Sequence, residues 1–261
     1  MKKPPPLALI CAGKLVDSPI TRLRGLRERL GPVISSSLRL ASRFANMLRA
    51  GHAAVDYGVI EDCGMVLLSV PDQSAPRFVR ALIEADLEWP AKVVVINSVL
   101  LDADALAPLA AMGARTASVS SVAGFEDRLF LAEGDRSAVG AARALFTGGE
   151  AKLISVERAH KAFYQAAAAC TGPLLTSLLI RAAECLKLAG ISAAEVSNIL
   201  QVQASKTTLS FLNAGRKTHQ DPASLARQIE ALRRIRPDLA DFFEQMAQLA
   251  TLGPKLRAST T

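Results

Sequence analysis

The first 155 residues alternate short apolar runs, rich in β-branched side chains, with longer stretches in which apolar residues recur at helical spacing. The apolar runs have the length and composition of buried strands. The predicted strands are residues 7–12, 32–36, 65–70, 92–97, 114–120, 128–132 and 152–155, and the predicted helices are 18–30, 38–50, 74–87, 102–112 and 136–146. Because near-continuous apolar strands alternate with helices, the pattern predicts an α/β fold with a doubly wound, mainly parallel sheet.

After residue 155 the periodicity is helical almost throughout. The predicted helices are residues 157–189, 192–212, 221–235 and 237–252, with a bend expected in the first at Gly172 and Pro173. That first segment is apolar around most of its circumference, so it must be buried in a bundle or in a subunit interface. We therefore predict two domains, 1–155 and 156–261, of which the second is all-α and forms a homodimer.

The segment LALICAGKLVDSPIT, which starts at residue 7, predicts a buried strand, a glycine turn and a capped helix. A dinucleotide-binding turn has the pattern G-x-G-x-x-G, and Cys11, Gly13 and Val16 occupy its three glycine positions here. The middle glycine is kept, where the backbone and a pyrophosphate come closest. Backbone N–H groups beside a helix N-terminus favour phosphate, and the candidates are those of Gly13, Lys14 and Leu15.

The second predicted strand ends in three serines, Ser35 to Ser37, and Arg39 and Arg43 follow. A site for NAD has an acidic residue here to bind the ribose hydroxyls. Hydroxyl groups with arginine suit a 2′-phosphate instead, so NADP is favoured over NAD, with Ser36 and Arg39 as contacts. The alternative is a serine helix cap with surface arginines.

Polar residues also follow later strands, where the ligands of an open parallel sheet bind. The strand MVLLSVPD runs through Val70 into Pro71, which cannot continue a central strand and marks the edge of the crevice. The strand VVVINSV ends near Asn97 and Ser98. These two side chains could contact a nicotinamide or a substrate, or they could form an ordinary turn.

Two further sets of polar residues are candidates for substrate chemistry. Ser120 and Ser121 end the strand in SVSSVAGF, but no histidine or carboxylate accompanies them, which argues against a serine nucleophile. Lys161 and Tyr164 are three residues apart on the long predicted helix and so lie on one face. A desolvated lysine can donate a proton to a carbonyl oxygen being reduced, and a phenol can orient the substrate. The alternative is a surface lysine over a buried aromatic ring.

Composition narrows the class of protein further. Lys and Arg exceed Asp and Glu by 31 to 24, and arginines clustered in residues 22–49 favour an anionic partner or a solvated helix face. Nucleic acid is weakly supported, because tyrosine and tryptophan are scarce and no nucleic-acid-binding motif is present. The 4 cysteines form no C-x-x-C pair and there are 3 histidines, so no metal site is expected. With no long apolar run or signal peptide, a cytoplasmic protein without membrane contact is expected.

The order of the motifs carries a resemblance over residues 7–249, nearly the whole chain. The glycine turn is followed by MVLLSVPD, VVVINSV, SVSSVAGF, RLFLAEGD and KAFYQAAAAC. In this order the chain resembles a family of uncharacterised bacterial proteins in which a Rossmann-like domain precedes a helical domain similar to that of 6-phosphogluconate dehydrogenase. That family is related to pyrroline-5-carboxylate reductase and the β-hydroxyacid dehydrogenases.

The resemblance implies roles for particular residues. It places Gly13, Lys14 and Leu15 against the cofactor phosphates, Ser36 and Arg39 near the adenosine ribose, Val70 and Pro71 beside the cofactor, and Lys161 and Tyr164 in the cleft between the domains. Four places in the chain depart from the family's pattern. Asn97 to Val99 stand in place of Ser-Gly, Ser120 and Ser121 in place of His-Pro, and Gln165 in place of a histidine. The asparagine expected a few turns later falls at Gly172 and Pro173.

Two functions of different classes follow. The first is an NADP-dependent reductase of a small carbonyl or imine in the interdomain cleft, with Lys161 as the acid or orienting group. The second is a redox-inactive Rossmann-like binding or scaffold protein for another anionic ligand, which the altered glycine turn favours. Nucleic-acid binding through the arginine cluster is a third and weaker option.

Overall fold

The computed structural model describes residues 5–13, 19–126, 128–147, 151–158, 160–214 and 222–252. The strands are β1 (Leu7–Cys11), β2 (Leu30–Ile34), β3 (His52–Ala54), β4 (Met65–Ser69), β5 (Val93–Asn97), β6 (Arg115–Ser121), β7 (Leu129–Gly134) and β8 (Lys152–Ser155). The α-helices are α1 (Arg24–Arg29), α2 (Leu38–Leu48), α3 (Ala75–Glu84), α4 (Ala107–Ala111), α5 (Arg136–Phe146), α6 (Lys161–Thr171), α7 (Pro173–Leu188), α8 (Ala193–Ala214), α9 (Pro222–Ile235) and α10 (Pro237–Leu252). Short 3-10 turns lie at Pro19–Arg22, Tyr57–Ile60, Asp72–Ser74 and Ala103–Leu106.

The eight strands form one sheet in the order β3-β2-β1-β4-β5-β6-β7-β8. Neighbouring strands from β3 to β6 are parallel, whereas β7 is antiparallel to β6 and parallel to β8. The chain moves outward from β1 to β3 on one side and then outward from β4 on the other. This confirms the predicted doubly wound sheet and places its topological switch point between the carboxyl ends of β1 and β4.

Each face of the sheet carries its own apolar layer. Successive side chains of β1 alternate between the two layers, with Leu9 and Cys11 in one and Ala8 and Ile10 in the other. The first layer includes buried residues of α2 and α5, and the second includes buried residues of α3. Because β1 is fully buried along its whole length, the turn that follows it starts from a rigid position.

The helical part of the chain begins with an interrupted pair of helices. α6 ends at Thr171 and α7 begins at Pro173, which agrees with the bend predicted at Gly172. The predicted domain boundary coincides with the end of β8, whereas the contacts of the chain define two compact units that meet between Ala169 and Cys170. The contacts therefore group most of α6 with the sheet.

Many large apolar side chains of α7 and α8 are exposed in the single chain. Its exposed side chains are Leu174, Leu175, Ile180, Leu188, Val202, Leu209, Phe211 and Leu212. By length and composition alone, the run Lys161–Leu188, with a mean hydropathy of 1.4, could cross a membrane. Large exposed apolar patches are typical of interaction surfaces.

Candidate functional site

The turn after β1 lies at the switch point of the sheet. Ala12 N donates to the carbonyl of Ser69 at 3.3 Å, which ties the turn to the end of β4. Gly13 then adopts a φ of +78°, a conformation that strains residues with a Cβ. A Cβ at this position would also lie 3.1 Å from Cγ of Pro71. Both constraints favour the glycine that the sequence keeps. Lys14 and Leu15, the other predicted phosphate contacts, lie outside the described residues.

Cys11 replaces the first glycine of the fingerprint and serves as a packing residue. Its side chain is fully buried, its Sγ donates to the carbonyl of Ile34 at 3.7 Å, and burial raises the pKa of the thiol to about 12. Ser35 Oγ donates to the carbonyl oxygen of Cys11 at 2.7 Å and ties the ends of β1 and β2 together. A thiol with this pKa is protonated at neutral pH, so Cys11 is not a nucleophile.

The end of β2 offers an exposed cationic site. Ser37 caps α2 by accepting a hydrogen bond from Leu40 N at 3.3 Å, so one serine fulfils the predicted capping role. Ser36 and Arg39 are exposed, and within the described part of the chain neither side chain forms a hydrogen bond or an ion pair. Arg43, one helical turn further, is also exposed. These groups remain available to an anion.

The two residues predicted beside the cofactor after β4 differ in exposure. Val70 is buried, and Pro71 is exposed next to Gly13. Pro71 therefore forms the surface of the crevice, while Val70 belongs to the core. Asp72 follows immediately and accepts a hydrogen bond from Ser98 Oγ at 2.5 Å.

The predicted contacts after β5 are largely engaged within the protein. Asn97 is half-buried, and its Nδ2 donates to Ser69 Oγ at 3.4 Å. Ser98 is buried, and besides donating to Asp72 its Oγ accepts from the backbone N–H groups of Leu100 and Leu101 at 3.1 and 2.8 Å. Its hydroxyl therefore shapes the turn, which is the alternative that the sequence left open.

Lys161 lies at the start of α6 with its ammonium group enclosed by protein oxygens. The side chain is only 3% exposed. Its Nζ donates to the carbonyl of Ser98 and to Ser118 Oγ, both at 2.7 Å, and to the carbonyl of Leu101. Burial lowers the pKa of Lys161 to about 8, although nearby carboxylates act in the opposite direction. Those carboxylates belong to Glu133, Asp102 and Asp72. Three acceptors therefore engage the three N–H groups of Lys161 in this structure.

The remaining predicted residues are separated from this group. Ser120 is buried inside β6 and within the described residues its Oγ has no partner, while Ser121 is half-buried opposite Phe130 of β7. Tyr164 is half-buried, and its hydroxyl forms no hydrogen bond with the described part of the chain. The structure thus joins Lys161 to Ser98 but does not join either to the serine pair.

Sequence patterns missed three side chains of this site. Gln165 Nε2 donates to two carbonyls of the loop after β5, Asp72 accepts from Ser98, and Glu133 is buried near Lys161. Gln165 lies four residues after Lys161, and that spacing marks a shared helix face. Glu133 interrupts the apolar strand LFLAEG, which is a second usable signal. Within the described residues no cluster of His, Cys, Asp and Glu could hold a metal ion.

The fold defines a class of protein in which a Rossmann-like sheet, with its switch point between β1 and β4, is followed by a helical domain. Residues 128–250, slightly less than half of the chain, match the family model of DUF2520, a domain of unknown function. A comparison with curated protein sequences finds no match.

Solved structures share the fold along almost the whole chain. A protein from Bacteroides fragilis described as a candidate NADP oxidoreductase has a TM-score of 0.71 at 14% identity, covering 94% of this chain and 96% of that chain. An imine reductase from Myxococcus stipitatus in complex with NADP+ has a TM-score of 0.65 at 14% identity, covering 95% of both chains. A reductive aminase from Aspergillus terreus in complex with NADPH and ethyl levulinate has a TM-score of 0.63 at 15% identity, covering 95% and 94%. At these identities the comparisons establish the two-domain fold.

Proposed function

We propose that the chain is an oxidoreductase-like protein that binds NADP(H) at the carboxyl ends of β1, β2 and β4. The observation that carries the proposal is the end of β2, where Ser36 and Arg39 are exposed and the strand is followed by serines in place of a carboxylate. Two proteins of the same fold hold NADP+ or NADPH in their structures. The positive φ of Gly13 adds a second, independent feature of a phosphate-binding turn.

The crevice residues suit the parts of such a cofactor. A guanidinium group can bind two oxygens of a 2′-phosphate at once, and that of Arg39 is engaged by none of the described residues. Gly13 has no side chain to keep a pyrophosphate away from the backbone. Pro71 offers a rigid apolar surface beside it. When bound, the nicotinamide supplies a hydride, and the protein supplies its orientation and its electrostatic surroundings.

The engagement of Lys161 favours an imine over a carbonyl as the substrate. Reduction of a carbonyl requires an acid that protonates the developing alkoxide. All three N–H groups of Lys161 point at protein oxygens, so that amine is not a free acid. A protonated imine already carries its proton, and hydride addition to its carbon gives the neutral amine directly. The hydroxyl of Tyr164, which binds no described residue, can orient such a substrate.

Calorimetric titration with NADPH and NADH tests the cofactor proposal. We expect saturable binding of NADPH, and binding of NADH weaker by about tenfold, because only NADPH offers a 2′-phosphate to Arg39. The variant R39A should bind both dinucleotides equally. R80A, which removes an exposed arginine from α3, is the matched control and should keep the preference. Failure of both dinucleotides to bind at millimolar concentration would overturn the proposal.

A redox-inactive binding protein is the second candidate function. The burial of Ser98 and Ser120, both expected to contact a substrate, favours it, because neither hydroxyl is presented to a ligand. In this case the crevice binds an anionic ligand without hydride transfer. Incubation with NADPH and a panel of small cyclic imines, oxo acids and imino acids separates the two functions. Consumption of NADPH that R39A slows at limiting NADPH would reject the redox-inactive function.

We further propose that two copies of the chain associate through α7 and α8. Leu209 and Leu212 are 57% and 69% exposed in the single chain. Exposed apolar side chains of this kind form the buried cores of subunit interfaces, so a second copy of the chain would remove them from water. Light scattering should give the mass of a dimer for the wild type and for Q203E, which changes an exposed polar residue on a different face of the same helix. L209D should be monomeric. A monomeric wild type, or its partition into phosphatidylcholine vesicles, would contradict the dimer.

A further inference from the structure

α6 presents two side chains to the loop that follows β5, and together they bind four consecutive carbonyl oxygens. These carbonyls are those of Ser98, Val99, Leu100 and Leu101. Lys161 Nζ donates to the carbonyl oxygens of Ser98, at 2.7 Å, and of Leu101. Gln165 Nε2 donates to those of Val99 and Leu100, at 2.6 and 3.1 Å. Residues four apart in a helix share a face. The loop is therefore held by α6 along its whole length.

The same loop is tied to the wall of the crevice. Ser98 Oγ donates to Asp72 Oδ1 at 2.5 Å, and Asp72 directly follows Pro71. Pro71 is the residue whose ring stands against Gly13. A continuous series of contacts thus runs from Lys161 through the loop to the glycine turn.

We infer that Lys161 and Gln165 are positioning residues that hold loop 98–101, and through Asp72 place Pro71 for the nicotinamide half of the bound dinucleotide. The inference rests on the proposed binding of NADP(H). In doubly wound sheets of this order, the adenosine half lies over the β2 side of the switch point and the nicotinamide half over the β4 side. The contacts of Lys161 and Gln165 lie on the β4 side, so the two halves of the ligand should respond differently to their loss.

A second buried lysine provides a matched control. Lys92 is 6% exposed and directly precedes β5, at the amino ends of the parallel strands. Its Nζ donates to three backbone carbonyls, at 2.5 Å for Glu61 and 3.5 Å for both Ile60 and Cys63. K92M therefore removes a similarly buried ammonium group with a similar number of carbonyl acceptors. Lys92 lies at the amino ends of the strands, whereas the crevice lies at their carboxyl ends.

The experiment measures two ligands in the full-length chain. NADPH occupies both halves of the crevice, and adenosine 2′,5′-bisphosphate occupies only the adenosine half. We expect K161M and Q165L to weaken NADPH binding by about tenfold and to change bisphosphate binding by less than about twofold. We expect binding to the wild type to enhance the fluorescence of the nicotinamide, and the same two variants to lose that enhancement. K92M should bind both ligands as the wild type does.

The outcomes separate this inference from the proposed function. If the wild type binds neither ligand, the proposed function fails, and the inference that depends on it fails too. If the wild type binds both, and K161M and Q165L bind NADPH as tightly as it does, the positioning role is wrong while the proposed function stands. An equal loss of both ligands in the folded variants also overturns it, because it indicates general damage. Should K161M not fold, Q165L decides, because Gln165 is only half-buried and is no part of the core.

Discussion

The ammonium group of Lys161 donates a hydrogen bond of 2.7 Å to the carbonyl oxygen of Ser98, 63 residues earlier in the chain. This contact joins the first turn of α6 to the loop at the carboxyl end of β5. A primary ammonium has three protons, and the remaining two are directed at Leu101 and Ser118. Lys161 is therefore part of the framework of the crevice.

The stability of the protein should depend on the protonation of Lys161. Burial lowers its pKa from 10.5 to about 8, so between these values the unfolded chain binds more protons than the folded chain. The free energy of unfolding contributed by Lys161 therefore rises with pH across this window, by up to about 3 kcal/mol, and is lost as the pH falls through 8. Denaturant unfolding of the wild type and K161M at pH values from about 7.5 to about 10.5 measures this contribution of Lys161.

The comparison with K161M removes the titration of the groups that do not interact with Lys161. We expect the difference in unfolding free energy, wild type minus K161M, to become more positive as the pH rises. A difference that stays constant would show that the pKa of Lys161 is the same in the folded and unfolded chains. A difference that becomes less positive would show that the folded state prefers the charged amine.

Substitution of Gly13 should damage both the turn and the binding of a dinucleotide. In G13A the alanine must keep a φ of +78°, and its Cβ would lie 3.1 Å from Cγ of Pro71. We expect a loss of about 1–2 kcal/mol in unfolding free energy and weaker binding of NADPH. G140A is the control, because a Cβ on Gly140 of α5 would meet no atom within 4 Å among the described residues outside its own helix backbone. It should stabilise the protein by about 0.5–1 kcal/mol. Wild-type stability in G13A would contradict the strain assigned to this turn.

The sequence predicts the sheet well because its strands are buried on both faces. The sequences of β4 and β5, for example, are apolar at nearly every position. Such strands can be recognised without knowing which strands they pair with. β3 lacks this signal, because His52–Ala54 is three residues long, is not fully buried and pairs only with β2. An edge strand of this kind exists only because β2 offers it hydrogen bonds.

The role of the site residues depends on contacts that the sequence pattern does not contain. Lys161 and Tyr164 share a helix face, which suggests a pair, but the partner of Lys161 in the structure is a loop 60 residues away. Ser120 marks the end of an apolar run, yet β6 continues through Ser121 and pairs with β7, which buries the side chain. Identity and spacing therefore locate the candidates, while tertiary packing decides which of them face a ligand.

Two neighbouring serines after β2 should behave differently when replaced by alanine. Ser35 is buried and its Oγ donates to the carbonyl of Cys11 at 2.7 Å, so S35A leaves that acceptor without its partner. We expect S35A to lower the free energy of unfolding by about 1–2 kcal/mol. Ser36 is exposed, so S36A should leave the free energy of unfolding within about 0.5 kcal/mol of the wild type. Its only effect should be weaker binding of NADPH. Thermal unfolding and calorimetric titration of both variants test this contrast, and equal stability losses would contradict it.

The buried carboxyl group of Glu133 should lower the stability of the protein as the pH rises. Its Oε1 accepts from Ala103 N at 2.7 Å, while Oε2 has no partner among the described residues. Burial raises its pKa above 4.5, and the hydrogen bond from Ala103 and the charge of Lys161 only partly oppose this. The folded chain therefore binds more protons than the unfolded chain just above pH 4.5.

The stability that comes from protonated Glu133 is fully present below pH 4.5 and is lost as the pH rises through the folded pKa. E133Q keeps an oxygen for Ala103 N and carries no charge, so it should lack this loss. We expect the unfolding free energy of E133Q relative to the wild type to increase from pH 4.5 towards neutrality, as measured by denaturant unfolding. E84Q, at an exposed position of α3, controls for the removal of one carboxylate. If E133Q and E84Q give the same pH dependence, Glu133 is not destabilised by its burial in the folded chain.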